Sequence, residues 1–269
     1  MFRHTPVVVV AVIMMLAGGS LAVAKSGGSN HGNDRNHHGN SGDGHGQQGP
    51  RGPRGPQGPQ GPAGKPAPEG LTGWGPMLRN EYGSPVAETG TTSTGQNALI
   101  LATQSGEEKA EYGTETELAG TKISSLSAIG FDAYVTDGDV SFGAAYQPNI
   151  QMEVNPKVAG KTYSSLVWVP PTSALKINEF SGYIDAMAAV TNHGTEGWWF
   201  SNGAVAAATN CSQAHFCSWA EVLAAAPETE VSFSVGLGKG RDQQFQGAIR
   251  EFRFGSSVYT FGPGGTFKK

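Results

Sequence analysis

The chain has few charges, and beyond residue 24 it has no apolar run long enough to span a bilayer. Asp, Glu, Lys and Arg make up only 15% of the 269 residues, and the formal net charge is −4. A mildly acidic chain lacks the basic surface that nucleic acids require. We therefore expect no nucleic-acid partner and, once the first 24 residues are removed, no membrane span.

Sequence signatures of catalysis are also missing. The chain has no G-x-S-x-G, no H-E-x-x-H and no phosphate-binding loop, and its acids form no E-x-D-x-x-E pattern. Such motifs bring together the nucleophile, the metal ligands or the carboxylate pair that each chemistry needs. We therefore expect no catalysis and no obligatory cofactor.

Cysteine is scarce, since Cys211 and Cys217 are the only two in the chain. Two cysteines without competitors are expected to pair when a chain is exported. Their spacing is not the C-x-x-C of redox motifs. The sequence therefore predicts a structural disulfide that closes a short loop.

Residues 1–24 have the three parts of a secretory signal peptide. Arg3 supplies the positive charge, residues 7–17 are apolar, and Ala22-Val23-Ala24 is an A-x-A cleavage site. Cleavage is expected before Lys25, which predicts a secreted protein that is extracellular or associated with the cell surface. The alternative is an uncleaved N-terminal anchor.

Two low-complexity segments follow the signal peptide. Residues 25–45 are rich in Gly, Asn and His and predict a disordered linker, because they cannot bury enough apolar surface to order the chain. Residues 46–66 have glycine at every third position, the period of a collagen triple helix. This collagen-like stalk could form a homotrimer or remain a stiff single-stranded polyproline-II spacer. It contains no acid, and its basic residues are Arg51, Arg54 and Lys65.

Residues 67–269 predict a mainly β domain, a two-sheet jelly-roll-like sandwich with one short helix. Short apolar runs alternate with clusters of Gly, Pro, Asn and Asp, and helical periodicity is nearly absent. The predicted strands are residues 97–104, 129–136, 149–154, 164–169, 177–184, 231–237, 245–254 and 257–261.

Three local patterns refine this fold prediction. Val231, Phe233, Val235 and Leu237 alternate with small residues, as in a strand with one buried face. Gly247 interrupts the run 245–254 and predicts a bulge. The capping box Ser218-x-x-Glu221 and the stop at Pro227 predict the helix.

An aromatic triplet offers a candidate binding site. Trp198 and Trp199 are neighbours, so on a strand one side chain would face the core while the other could be exposed. An exposed indole can stack on a sugar ring, and Asn192, His193 and Asn202 could bind its hydroxyl groups. The alternative is that both indoles are core or interface residues.

A second candidate site is acidic. Asp132 precedes Asp137-Gly138-Asp139, and these carboxylates could hold Ca²⁺ through oxygen ligands. An ordinary Asp-Gly turn between two strands explains the same residues.

Two regions resemble known protein families. The Gly-Pro-x triplets are similar to the collagen-like segments of secreted bacterial proteins, and residues 83–254 resemble exported bacterial β-sandwich domains of the laminin-G or concanavalin-like kind. The second resemblance lies in Gly83-Ser-Pro-Val, Gly197-Trp-Trp and Val235-Gly-Leu-Gly. Such domains often carry an acidic D-x-N-G-D-G turn, where this chain has Glu153-Val-Asn-Pro-Lys. The resemblance implies a fold and an extracellular location, and no activity.

Together these patterns predict an extracellular structural or adhesive protein with a sandwich head on a collagen-like stalk. The alternative is a carbohydrate- or matrix-binding module that uses exposed aromatic residues. A glycan-active enzyme is the least favoured hypothesis, because no catalytic pattern supports it.

Overall fold

The computed structural model describes residues 73–79, 82–136 and 147–269. The predicted signal peptide, linker and collagen-like stalk lie outside the described residues, as do Asp137 and Asp139.

The described residues form thirteen strands and two α-helices. The strands are β1 (Gly75–Pro76), β2 (Val86–Thr91), β3 (Asn97–Thr103), β4 (Ala110–Thr114), β5 (Ile129–Val135), β6 (Asn149–Asn155), β7 (Ser164–Val169), β8 (Phe180–Asp185), β9 (Gly197–Phe200), β10 (Glu230–Lys239), β11 (Phe245–Phe254), β12 (Ser257–Gly262) and β13 (Gly265–Lys268). The helices are α1 (Gly203–Thr209) and α2 (Trp219–Ala225), and single 3₁₀ turns occur at Ile123–Ser125 and Thr172–Ala174.

The strands form two antiparallel sheets. The six-stranded sheet has the order β1-β4-β10-β6-β7-β9. In the seven-stranded sheet β11 pairs along one side with β5, which in turn pairs with β8. Along its other side, β11 pairs with β3 at residues 245–249 and with β12 at residues 251–254. Strand β3 also pairs with β2, and β12 also pairs with β13. The predicted mainly β, two-sheet sandwich is thus confirmed.

Aromatic side chains fill the space between the two sheets. Phe131 of the seven-stranded sheet meets Trp168 of the six-stranded sheet, with ring centres 5.2 Å apart. Trp198 lies beside Trp168 and also contacts Trp219, whose ring centre is 4.9 Å away. All four side chains are almost completely buried. Helix α2 therefore extends the core by inserting Trp219 beside the tryptophans of the sheet.

Helix α2 is the helix that the capping box predicted. The Ser218 hydroxyl accepts from the Glu221 amide (3.3 Å), and the Glu221 carboxylate accepts from the Ser218 amide (2.7 Å). The sequence prediction was wrong in expecting only one helix, because α1 precedes α2. Asn202 begins α1 by accepting from the amides of Ala204 and Val205, so its side chain serves as a helix cap.

The predicted disulfide joins Cys211 to Cys217, with Cα atoms 5.3 Å apart. The loop that it closes lies along the outer edge of β9. Trp198 and Cys217 exchange two backbone hydrogen bonds of 2.8 Å, and the Phe200 amide donates to the Cys211 carbonyl (3.0 Å). The disulfide loop therefore satisfies edge groups of β9 that would otherwise be open to another strand.

Strand β10 departs from the predicted alternation. Its register against β6 shifts between Val231 and Val235, which marks a bulge. Phe233 consequently points outward and is 42% exposed, while Ser234 is 3% exposed. The prediction that Phe233 faces the core was therefore wrong, because a two-residue period cannot continue through a bulge.

In the described part of the chain, no helix combines the length and the apolarity needed to cross a membrane.

Candidate functional site on the outer face of the six-stranded sheet

Strand register places one row of residues across five strands of the six-stranded sheet. Gly113 of β4 lies opposite Gly236 of β10, which lies opposite Gln151 of β6. Gln151 lies opposite Val167 of β7, and Val167 lies opposite Trp199 of β9. Their neighbours along each strand face the core, so this row faces outward. We call this side of the sheet the outer face.

A second row on the outer face is polar. Glu153 lies opposite Ser165, whose amide donates to the Ser201 hydroxyl at 2.9 Å. Tyr163, just before β7, donates its hydroxyl to Glu153 Oε1 at 2.8 Å, and its side chain is 51% exposed. The carboxylate therefore holds one edge of an exposed aromatic ring in place.

Arg79 binds the same carboxylate through two hydrogen bonds. Its Nη1 donates to Glu153 Oε1 (3.2 Å) and its Nη2 to Oε2 (2.9 Å). Ser234, buried at the β10 bulge, donates to Oε2 at 2.6 Å and accepts from Arg79 Nη2 at 3.2 Å. Glu153 thus receives hydrogen bonds from three different side chains at one place on the outer face.

The electrostatics of this cluster keep Glu153 ionised. Burial acts to raise the pKa of Glu153, but hydrogen bonds from Arg79, Ser234 and Tyr163 outweigh it and the net pKa lies below the ordinary 4.5. The pKa of Arg79 is raised by its hydrogen bond to Glu153. Burial raises the pKa of Tyr163, and the hydrogen bond to Glu153 adds to that effect. At neutral pH the cluster therefore combines a fixed carboxylate, a fixed guanidinium and a neutral phenol.

Phe233 provides a second exposed ring next to this cluster. The Arg79 guanidinium carbon lies 5.1 Å from the centre of the Phe233 ring, within the range of a cation–π contact. Arg79 Nε lies 3.3 Å from Glu115. Tyr163, Glu153, Arg79 and Phe233 therefore form a chain of direct contacts across β6 and β10.

The described segment 73–79 crosses the glycine end of the outer face. The Met77 amide donates to the Glu111 carbonyl at 2.9 Å, and the Met77 side chain is 5% exposed. A Cβ on Gly236 would lie 2.4 Å from the Met77 methyl carbon. Glycine at position 236 therefore leaves room for the Met77 side chain. The contacts of Met77 and the hydrogen bonds of Arg79 to Glu153 together hold this segment on the sheet.

The two predicted tryptophans take different positions. Trp198 has no exposed surface and donates its indole nitrogen to the Ala186 carbonyl at 2.7 Å. Its ring is therefore not available to stack on a ligand, which removes Trp198 from the candidate binding set. Trp199 is half-buried on the outer face, where it packs against Val169 and Phe216 outside the main core.

The three polar residues predicted to accompany the tryptophans do not converge on one point. His193 donates from Nδ1 to the Phe216 carbonyl at 2.6 Å and stacks on His215, with ring centres 4.9 Å apart. Asn192 is exposed, and its side chain accepts from the Gly194 amide at 3.0 Å. Asn202 caps α1 and also donates to the Tyr163 carbonyl at 3.3 Å. Of the three predicted polar residues, Asn202 therefore contacts Tyr163, whose hydroxyl binds Glu153.

Asp132, the predicted calcium ligand within the described residues, is engaged by the protein itself. It is 4% exposed, and Arg250 Nε and the Gly182 amide each donate to its carboxylate at 2.9 Å. The described ranges contain no group of three or more His, Cys, Asp or Glu side chains arranged to hold a metal ion. Asp132 thus has an evident structural role, pairing β5 with the side chain of Arg250 on β11.

The sequence pattern did not single out Tyr163, Phe233 or Arg79 as site residues. Phe233 was assigned to the core because the bulge has no clear sequence signature, and Arg79 reaches Glu153 across 74 residues of chain. One visible signal was Glu153 itself, an acid within the predicted strand 149–154.

Comparisons of this chain with protein-family models, with curated proteins and with solved structures found no match.

Proposed function

We propose that this is an extracellular structural or adhesive protein in which the sandwich head holds ligands on its outer face and stands on the collagen-like stalk. The observation that carries the proposal is the grouping of Tyr163 and Phe233, both exposed, around the Arg79–Glu153 pair. Trp199 adds a third aromatic ring on the same face. Aromatic rings beside fixed polar groups are typical of surfaces that bind other molecules.

The chemistry of the cluster suits binding better than turnover. Glu153 accepts from Arg79, Ser234 and Tyr163, and its lowered pKa keeps it ionised. A carboxylate in this state has no proton to give as a general acid, and three donors compete for its lone pairs. We therefore assign Glu153 to positioning the aromatic rings, and no catalytic role.

The collagen-like stalk would multiply weak contacts made by the head. If residues 46–66 assemble as a triple helix, three heads share one stalk. A surface carrying several ligand copies would then bind with an avidity well above the affinity of a single head. This arrangement fits adhesion, where individual contacts are weak and many act together.

A carbohydrate- or matrix-binding module is the second candidate function. It is favoured by the row that places Trp199 two strands from Gln151, about 10 Å away at the usual strand spacing. An indole and an amide at that separation could contact neighbouring sugar units. In this version the head acts as a lectin-like module with the stalk as its spacer.

An array of glycans and matrix components probed with the mature chain, residues 25–269, tests the proposed function. Tyr163→Ala, Phe233→Ala and Trp199→Ala should each weaken binding to whichever component the wild type retains. Ile177→Ala is the matched control, because Ile177 is 47% exposed but pairs with β5 of the other sheet. Binding that all three outer-face variants retain in full would contradict the proposal.

A further inference from the structure

We propose that the outer face binds the basic, proline-rich stalk, residues 46–66, of another copy of this chain. The inference rests on the proposed function and names the partner of the same surface. It makes the protein self-adhesive, with heads on one assembly holding stalks of the next.

Charge is the first observation that points to this partner. The stalk carries Arg51, Arg54 and Lys65 and no acid. Residues 67–269 carry 20 Asp and Glu against 12 Lys and Arg, a net charge of −8. Opposite net charges draw the two segments together and steer their encounter.

The outer face has the same sign of charge as the rest of the head. Glu153 and Glu115 both lie within ion-pair distance of Arg79, so two carboxylates share one guanidinium. Glu111, further along the face, pairs with Lys109. The cluster beside the exposed rings therefore has one negative charge in excess, which an incoming arginine can pair with.

The shape of a polyproline-II chain matches the exposed rings. Such a chain has no internal hydrogen bonds and presents its prolines on the outside, and proline-rich peptides commonly dock on aromatic surfaces. Residues three apart in a polyproline-II chain are one turn apart, so in that conformation Arg51 and Arg54 would lie on the same edge about 9 Å apart. Prolines from the triplets can pack on Tyr163 and Phe233 while that edge faces the acids.

The reach of the chain favours the stalk of another copy. Residues 67–72 separate the stalk from the described segment that starts at Gly73, and six residues span at most about 20 Å. From β1 to β7 the sheet is four strand spacings wide, about 19 Å. A chain's own stalk is tied to the β1 edge by this short connection, whereas the stalk of another copy can approach Tyr163 and Phe233 from any direction.

A fluorescent peptide with the sequence of residues 46–66, titrated with the mature chain and followed by anisotropy, tests the inference. We expect saturable binding that weakens at least about tenfold in Tyr163→Ala with Phe233→Ala, since the loss of a cation–π or stacking contact is of that size. A peptide with Arg51→Gln and Arg54→Gln should bind more weakly to the wild type. Raising the salt concentration should also weaken binding, because attraction between opposite charges is screened.

The controls separate this inference from the proposed function. Ile177→Ala should bind the peptide like the wild type, and circular dichroism should show that the double variant remains folded. Binding that the double variant retains, or that strengthens with salt, would overturn the inference and indicate pairing between collagen-like strands. A further outcome is that the wild type binds a glycan but not the peptide, with glycan binding lost in the outer-face variants. That result would also overturn the inference, while the proposed function would still hold. Absence of every ligand from the outer face would contradict both.

Discussion

Arg79 donates both terminal nitrogens to the two carboxylate oxygens of Glu153, at 3.2 and 2.9 Å. The pair joins segment 73–79 to β6, 74 residues later in the chain. Because Tyr163 and Ser234 donate to the same carboxylate, this one contact fixes the geometry of the outer face. A two-point contact of this kind restricts orientation more than a single ion pair does.

The first prediction concerns the pH dependence of this pair. The folded-state pKa of Glu153 lies below its ordinary 4.5, so the folded protein binds that proton less tightly than the unfolded chain does. Its stabilisation should be complete above pH 4.5 and be lost as the pH falls through the folded pKa. Glu153→Gln should therefore lower the free energy of unfolding at pH 7 by more than it does at acid pH, as measured by urea denaturation at the two pH values.

The size of that effect should be modest, below about 1 kcal/mol, because solvent screens the pair. Glu179→Gln is a suitable control, since Glu179 is well exposed and lies 3.8 Å from Lys176. An equal loss in Glu153→Gln at both pH values would show that the charge on Glu153 does not contribute.

The second prediction compares two glycines in the same outward-facing row. A Cβ on Gly113 would lie 2.3 Å from the Val235 carbonyl oxygen, a backbone atom of the neighbouring strand. Gly113→Ala should therefore destabilise the protein by about 1–3 kcal/mol, because the sheet itself would have to move. Gly236→Ala should cost less, since the atom in its way is the methyl end of the flexible Met77 side chain.

Urea denaturation of both variants decides this comparison. Gly75→Ala is the control, because a Cβ there meets no atom within 4 Å. A larger loss in Gly236→Ala than in Gly113→Ala would show that the Met77 side chain is held rigidly and would contradict the prediction.

The third prediction concerns the disulfide. Replacing Cys211 and Cys217 together by Ala should lower the free energy of unfolding by about 2 kcal/mol, as expected for a short closed loop. The loop should also detach from the edge of β9 more often, because without the disulfide only its backbone hydrogen bonds to Trp198 and Phe200 would hold it there. Limited proteolysis near residues 211–217 should therefore be faster in the variant. Unchanged stability together with unchanged proteolysis would contradict a structural role for the bond.

Much of the fold could be predicted from the sequence, because the buried strands are rich in apolar and β-branched residues. The predicted bounds of β7 and β11 agree with the structure, at residues 164–169 and 245–254. Strand β4 was missed, since its sequence Ala-Glu-Tyr-Gly-Thr lacks that composition and is buried by its neighbours. Helix α1 was missed because its Asn202 cap was assigned to ligand binding.

The predicted bulge at Gly247 lies elsewhere in β11. The register of β11 against β5 shifts between Ile249 and Glu251. Gly247 instead permits a close approach, because a Cβ there would lie 2.6 Å from the Tyr134 carbonyl oxygen. A glycine in a strand has several structural uses, and sequence alone does not separate them.

The candidate site was only partly visible in the sequence. Trp199 and Asn202 were singled out and lie on or beside the outer face. Phe233 was not, because its exposure depends on the β10 bulge, and Tyr163 was not, because its contact with Glu153 joins β6 to the residue just before β7. Contacts between residues far apart in the chain are determined by the fold, so local patterns could not reveal this cluster.

The most direct test of the central claim, a folded head on a collagen-like stalk that trimerises, is sedimentation of the mature chain at low and high salt. At high salt, where contacts between the heads and stalks of different assemblies are screened, the wild type should be a trimer, and this trimer should be more stable than at low salt because salt also screens repulsion among Arg51, Arg54 and Lys65 of neighbouring strands. Gly55→Ala with Gly58→Ala should give a monomer with an unchanged β circular dichroism spectrum, since only glycine fits the axis of a triple helix. A wild type that is monomeric at every salt concentration, or a trimer that survives both substitutions, would contradict the claim.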